Sequence, residues 1–256
     1  MPEDKFLKVA LKAVKKAEPV FLRGFGKATG IETKDDLYKS PVTDIDKEIE
    51  KIITKEILNN FPDHSIVGEE FPKTEGKSGY VWYIDPIDGT INYIRGGIAC
   101  SISVGLWKGD EPIVGVVFDP VNSVIYSAIK GRGAFKNKKI KLAVSKISKL
   151  EDSLGNAGRA KSEEDDKALE RVAGIAHRNR EYGGSALGLC YIAEGKLDFY
   201  ISERMKIYDV GASALILSEA GGRNTDWQGV NYTPSSKQLV ASNGNIHQEI
   251  LQALKG

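Results

Sequence analysis

The chain has 256 residues, 41% of them hydrophobic, with 36 Lys and Arg against 35 Asp and Glu. That length supports one large domain or two intimate halves around a substantial core, and the near balance of charge excludes a global field for nucleic acid or membrane. The charged N-terminus has no apolar run behind it, and the longest uncharged run, Gly96 to Trp107, is too short to span a bilayer, so no signal peptide and a cytoplasmic location are expected.

From Glu3 to about Arg23, Phe6, Val9, Ala10, Ala13, Val14, Ala17 and Phe21 recur at steps of three and four, which predicts an amphipathic helix. Pro19 falls inside the pattern and is expected to kink or break it near Glu18. The glycine-rich stretch Gly24 to Gly30 follows a helix rather than a strand and misses the G-x-G-x-x-G spacing, so it reads as a helix stop. Thr43 opens a second helix to about Asn60, with Ile45, Ile49, Ile52, Ile53 and Ile57 on its buried side. Asp46, three residues after Thr43, has capping-box spacing; the alternative is that it faces a cleft and orients a water. Asp44 suits the helix dipole.

His64 to Val67 reads as a short strand leading into Gly68-Glu69-Glu70, with His64 structural, and Phe71 to Gly79 as a surface loop. Tyr80 to Ile84 reads as a buried strand that Pro86 should end. Ile98 to Trp107, Ile113 to Asp119 and Ser123 to Ala128 predict an antiparallel meander. Lys136, Lys138, Lys139 and Lys141 then cluster without interleaved aromatics, which suits a solvated hairpin better than a nucleic-acid surface. Cys100 and Cys190 lie far apart in apolar stretches, as free buried thiols in a reducing interior would.

In the second half, Ser153 to Asn156 is a predicted strand and Ser162 to about His177 a helix with an acidic start. Gly183-Gly184-Ser185 opens a helix from Ala186 to Glu194, closed by Gly195, whose free amides would face a hydroxylated or anionic ligand. Leu197 to Ile201 is a strand, and Asp209 begins a helix from Val210 to Ala220 stopped by Gly221-Gly222. Leu239 to Ala241 is a last strand, followed by a closing helix from about Asn245.

The chemistry gathers at Asp85-Pro86-Ile87-Asp88-Gly89-Thr90, two carboxylates on a turn just past a strand end. Asp, Pro and Gly are also ordinary turn residues, and Asp209 taken alone reads as a helix N-cap. Gly89 allows close backbone approach to a ligand, and Thr90 adds a hydroxyl at a short helix start. No His/Cys cluster suits zinc. Glu69, Asp85, Asp88 and Asp209 offer the oxygen ligands that hard divalent cations take, and together they would repel without a counter-ion.

These segments, with Thr43-Asp44-Ile45-Asp46 upstream and Tyr208-Asp209-Val210 and Glu219-Ala220-Gly221-Gly222 downstream, resemble in order and spacing the inositol monophosphatase family of magnesium-dependent, lithium-sensitive sugar phosphatases, over roughly residues 5 to 250. The resemblance implies an α/β fold, a layered α/β/α/β/α sandwich, which we divide into an N-terminal half, 1–142, and a C-terminal half, 143–256. It implies two or three Mg²⁺ per subunit, with Mn²⁺ able to substitute. One would be held by Glu69, Asp85 and the Ile87 carbonyl, the second by Asp85, Asp88 and Asp209, and a weaker third near Glu69. Asp46 and the Thr90 hydroxyl would polarise a water for attack on a phosphate held by the amides of Gly89 and Thr90, with no covalent phosphoenzyme. Gly183, Gly184 and Ser185 match the family's inositol-facing helix start. Tyr208 replaces a common Trp and keeps an aromatic wall. Ser202 stands where inositol-type enzymes often carry an acid. Arg204 would bind a second phosphate or form a surface ion pair, and Arg180 is another candidate phosphate contact. The implied substrate is a small sugar or polyol phosphate, inositol-1-monophosphate first. Fructose 1,6-bisphosphate, histidinol phosphate and nucleotide 3′- or 2′-phosphates are alternatives, and Asn92-Tyr93 resembles the inositol branch. A homodimer is implied, with no nucleic-acid or membrane partner. A noncatalytic sugar-phosphate-binding regulator on the same fold would lack one of Asp46, Glu69, Asp85, Asp88, Thr90 or Asp209, and all six are present.

Overall fold

The computed structural model of the protein describes residues 2–27, 32–33, 41–158 and 160–256. Helix α1 (Pro2–Gly24) runs unbroken through Pro19. Pro19 is exposed, while Ala17 and Phe21 on either side are fully buried. Their packing offsets the roughly 3 kcal/mol that an interior proline costs a helix, so the expected break is absent. The helix stops at Gly24, as its glycines suggested; Ala28 to Gly30 of that stretch lie outside the described residues.

Strands β1 (Glu32–Thr33) and β2 (Pro41–Val42) form a small antiparallel pair. Helix α2 (Asp44–Asn60) follows, with Thr43 as its N-cap. The first large sheet has the order β3 (Ser65–Gly68), β4 (Tyr80–Asp88), β5 (Ser101–Lys108), β6 (Glu111–Asp119), β7 (Val124–Ile129), β8 (Ala134–Lys136), β9 (Ile140–Lys141), and helix α3 (Thr90–Arg95) joins β4 to β5. Only the β3–β4 pair is parallel, so the rest is the meander that the alternating pattern predicts. Within the lysine hairpin, Lys136 is paired with Glu194 at 2.6 Å.

The second sheet is built from β10 (Leu154–Ala157), β11 (Arg178–Asn179), β12 (Phe199–Ser202), β13 (Arg223–Thr225) and β14 (Leu239–Ser242), in the order β11-β10-β12-β14-β13. Its helices are α4 (Glu163–Ile175), α5 (Ser185–Ala193), α6 (Ile207–Val210), α7 (Ser213–Glu219) and α8 (His247–Lys255). Three apolar clusters define the layers. Residues of α1 and α2 pack on the outer face of the first sheet, α5 and α7 fill the space between the sheets, and α4 and α8 cover the second. The molecule is therefore a layered α/β/α/β/α sandwich.

The helix expected from Val210 to Ala220 is two helices, α6 and α7, parted at Gly211-Ala212. The break has a packing cause. Gly105 and Gly115 are cross-strand partners on β5 and β6. A Cβ on Gly105 would stand 2.8 Å from Ala212 N, and one on Gly115 would overlap the Ala212 carbonyl. The two glycines form a notch in the sheet that receives the backbone between α6 and α7, and Trp107 Nε1 donates to Gly211 O at 2.9 Å.

Candidate active site

The site starts at the end of β4. Asp85 pairs with Ser103 and Asp88 with Ser101, so the register slips between them. Pro86 sits in that irregularity, where no ladder N–H is needed. The strand therefore continues to Asp88 instead of ending at Pro86. Gly89, at φ +81°, turns the chain into α3, and a Cβ there would meet Ala99 O at 2.5 Å. The parallel pairing of Gly68 with Ile84 brings Glu69, just past β3, beside Asp85. The glycine notch brings Asp209, third residue of α6, from the other half.

Glu69, Asp85, Ile87, Asp88, Gly89, Thr90, Ile91, Asn92, Gly183 and Asp209 line one cleft of about 290 Å³. The four carboxylates crowd one another. Burial raises Asp85 well above the usual carboxylate range, with Glu69, Asp88 and Asp209 adding to the shift. Burial likewise pushes Asp209 up to about 7, helped by Glu69 and Asp88 and opposed by the Lys206 amide. Asp88 is pushed up to about 6, again by burial first. Asp85 shares a hydrogen bond with Glu69. No three His, Cys, Asp or Glu side chains among the described residues converge closely enough to hold a metal ion as they stand. The chemistry of the set still fits a hard divalent cation: oxygen donors only, with crowded negative charge that such a cation would neutralise.

Asp88 also ties the halves together. Its Oδ1 accepts from Ser185 N at 3.0 Å and from Ser185 Oγ at 2.9 Å, and its Oδ2 accepts from Ala186 N at 2.9 Å. The amides at the start of α5 are thus taken, contrary to the expectation that they stay free for a ligand, and Ser185 is buried behind Asp88. Gly184 is pressed against Ala99 O, while Gly183 lines the cleft.

Asp46 is buried just outside the lining. Its Oδ2 accepts from Thr43 N at 2.9 Å and Thr43 Oγ1 at 2.6 Å, so the capping geometry is real. Burial pushes its carboxyl up to about 6, and Glu70 and Glu69 raise it further. The Thr90 hydroxyl donates to Ile87 O at 3.0 Å. Asp209 repeats the Asp46 arrangement, accepting Lys206 N at 2.9 Å, so it is the third residue of its helix rather than the N-cap.

The sequence reading passed over Glu50 and gave Asn92 a family resemblance but no structural role. Glu50 is buried on α2, with its carboxylate accepting from Glu70 N at 2.8 Å and Phe71 N at 3.2 Å. Burial pushes it up to about 7. Its signal was available: with Asp46 it fills helix positions where the apolar stripe of Ile49, Ile53 and Ile57 should continue. Asn92 Nδ2 donates to Tyr182 O at 2.6 Å and Ala99 O at 3.2 Å, joining α3 to the Gly183 turn.

A second cleft of about 260 Å³ adjoins the first at Gly183 and is lined by Asn156, Gly158, Leu169, Glu181, Tyr200, Ile201, Ser202 and Arg204. Ser202 Oγ donates to Arg204 O at 2.9 Å. Arg180 is exposed and lines neither cleft. His64 is structural, with its Nδ1 accepting from Trp82 Nε1 at 3.0 Å. No helix among the described residues is long and apolar enough to cross a membrane.

Comparison with known proteins agrees with this fold. A fructose-1,6-bisphosphatase/inositol-1-monophosphatase of Thermotoga maritima is 34% identical over 249 residues, covering 97% of this chain and 95% of the relative. Nus factor SuhB of Xylella fastidiosa is 33% identical over 260 residues, covering 96% and 93%. The solved structure of a Thermotoga maritima IMPase superposes with a TM-score of 0.89 at 33% identity, covering 98% and 97%. The profile of the inositol monophosphatase family matches residues 3–256, and the chain belongs to that family of phosphoric monoester hydrolases.

Proposed function

We propose that the protein is a Mg²⁺-dependent phosphomonoesterase of small sugar or polyol phosphates, inositol-1-monophosphate first, acting as a cytoplasmic, lithium-sensitive homodimer. The observation that carries this reading is the convergence of Glu69, Asp85, Asp88 and Asp209, from both halves, on one cleft beside Gly89 and Thr90. Glu69, Asp85 and the Ile87 carbonyl would hold one cation, and Asp85, Asp88 and Asp209 a second, with Mn²⁺ able to substitute and a weaker third ion near Glu69. Such ions supply charge neutralisation of the phosphate, a water of lowered pKa and stabilisation of the leaving oxygen. The amides of Gly89 and Thr90 would orient the phosphate, and Asn92 keeps the Gly183 turn against that helix start. Asp46, its carboxyl pushed up to about 6 by burial, would accept a proton from the attacking water through Thr90. Gly183 and Arg204 would contact the rest of the substrate.

A second reading, fructose 1,6-bisphosphatase or dual activity, is favoured by the adjoining cleft with Arg204 at its rim, because a guanidinium there suits a second phosphate. Phosphate release from a panel of inositol, fructose, histidinol and nucleotide phosphates, with Mg²⁺ and with and without Li⁺, tests both. Metal-dependent, Li⁺-inhibited turnover of inositol-1-monophosphate is expected. No turnover of any member, with tight sugar-phosphate binding retained, would instead indicate a noncatalytic regulator.

A further inference from the structure

We propose that Glu50 is a positioning residue that fixes Glu69 relative to Asp46, and so sets the cleft's affinity for its cation; this rests on the phosphatase reading above. Glu50 lies one helical turn beyond Asp46 on α2, and both side chains are buried. Its two carboxylate oxygens accept from two successive amides, Oε2 from Glu70 N and Oε1 from Phe71 N. Those amides follow Glu69 directly. On the other side of Glu69, Gly68 is held in the β3–β4 ladder opposite Ile84. A Cβ on Gly68 would overlap the Glu50 carboxylate, so the two are in contact and a side chain there would push the carboxylate aside.

Among the described residues, Glu50 is a buried acid with backbone partners and no basic one. No ion pair to Lys, Arg or His forms at Glu50 among the described residues. Glu56, six residues on, is the opposite case, a buried acid paired with Lys12 and Lys16. A buried, uncompensated carboxylate costs stability, and its two hydrogen bonds to backbone return only part of it. The arrangement is explained if those bonds hold the loop after Glu69 rigid, because an outer partner that orients a ligand typically changes metal affinity about 10–100-fold.

The test measures Mn²⁺ binding directly by calorimetry, alongside Mg²⁺-dependent phosphate release, for wild type, Glu50→Gln, Glu50→Ala, Gly68→Ala and the Glu50→Ala/Gly68→Ala double variant, with Glu56→Gln as control. Glu50→Gln, nearly isosteric, should fold and weaken Mn²⁺ by about tenfold, and Glu50→Ala more. Gly68→Ala, which displaces the carboxylate, should weaken Mn²⁺ in wild type but add little in the Glu50→Ala background. Glu56→Gln should lower the melting temperature and leave Mn²⁺ affinity unchanged. Unchanged affinity in folded Glu50 variants, or additive effects of Glu50→Ala and Gly68→Ala, would overturn the proposal. A wild type that binds Mn²⁺ but hydrolyses nothing would overturn the phosphatase reading and leave the role of Glu50 in cation binding standing.

Discussion

Asp46 and Asp209 are held by the same local device in two very different settings. Each is the third residue of its helix, and each accepts the amide three residues back. Asp46 stands at the head of the 17-residue α2, whose buried isoleucines fix it against the first sheet. Asp209 stands in the four-residue α6, which has no such stripe and cannot nucleate alone. Its place comes from outside, from the Gly105–Gly115 notch and the Trp107 hydrogen bond to Gly211. One acid is positioned by its own helix, the other by the sheet it leans on.

The largest expected effect breaks the comparison at its functional end. Asp209→Asn keeps an acceptor for Lys206 N but loses the charge. Because loss of a partner that only orients a ligand costs about 10–100-fold, loss of a proposed metal ligand should cost phosphatase activity more than about a hundredfold. In metal-free protein the same change should stabilise. Asp209 is raised from 3.8 to about 7, so ionised Asp209 destabilises the fold increasingly as pH rises through that window. The gain should appear in melts at pH 8 and vanish near pH 4. A metal-free melt lowered at pH 8 would remove Asp209 from the repelling cluster.

Next comes the notch. Gly115→Ala places a methyl against the Ala212 carbonyl. Overpacking of this kind costs about 1–3 kcal/mol, and a shift of about 1 Å in a reacting group costs on the order of a hundredfold in rate. Both a lower melting temperature and lower activity are expected, although Gly115 touches nothing in the cleft. Replacing a glycine with nothing around it, as in Gly109→Ala, should leave activity intact. Equal activity of the Gly115 and Gly109 variants would show that α6 seats itself without the notch.

How much of this was legible follows the same division. The acids on long or strongly patterned elements could be read: Asp46 from its capping spacing, Asp85 and Asp88 from the apolar strand before them. The layered sandwich and the meander followed from the alternation of strands and from family resemblance. What escaped depends on contacts between distant segments. Nothing local tells that Gly105 and Gly115 will face each other across two strands, so α6 and α7 read as one helix. Nothing local tells that Asp88 will take the amides of Ser185 and Ala186, so those amides read as free. His247 is similar: its ring nitrogens lie 2.9 Å from Thr225 Oγ1 and 2.8 Å from Ser242 Oγ, and burial pushes it down to about 4, all through tertiary contacts. Pro86 and Pro19 misled for a different reason, because a bulge and a well-buried helix face each absorb a proline that propensity alone forbids.

A smaller effect sharpens the claim that the two halves meet through charge. Mg²⁺ at about 100 times its Kd should stabilise the protein by about 2.7 kcal/mol, which is roughly 5–10 °C for a chain of this size. The shift should be larger at pH 8 than at pH 5, because Asp88 and Asp209 are raised to about 6 and about 7 and repel most when ionised. It should shrink in Asp209→Asn. A melting temperature indifferent to Mg²⁺ in wild type would argue that the carboxylates never close on an ion.

The smallest effect isolates the helix-borne acid. Thr43→Ala deletes the hydroxyl that donates to Asp46 Oδ2 at 2.6 Å and leaves the Thr43 amide in place. Loss of an N-cap hydroxyl costs about 1 kcal/mol, within reach of a thermal melt. The hydroxyl is also the larger of the two hydrogen bonds that hold the Asp46 carboxyl down, against burial that pushes it up to about 6. Without it the carboxyl rises further. If Asp46 must be ionised to take a proton, activity should then be lost at higher pH than in wild type, so the acid limb of kcat/KM moves up while the alkaline limb stays. An acid limb unchanged in Thr43→Ala, with the expected loss of stability present, would leave Asp46 a capping residue and nothing more.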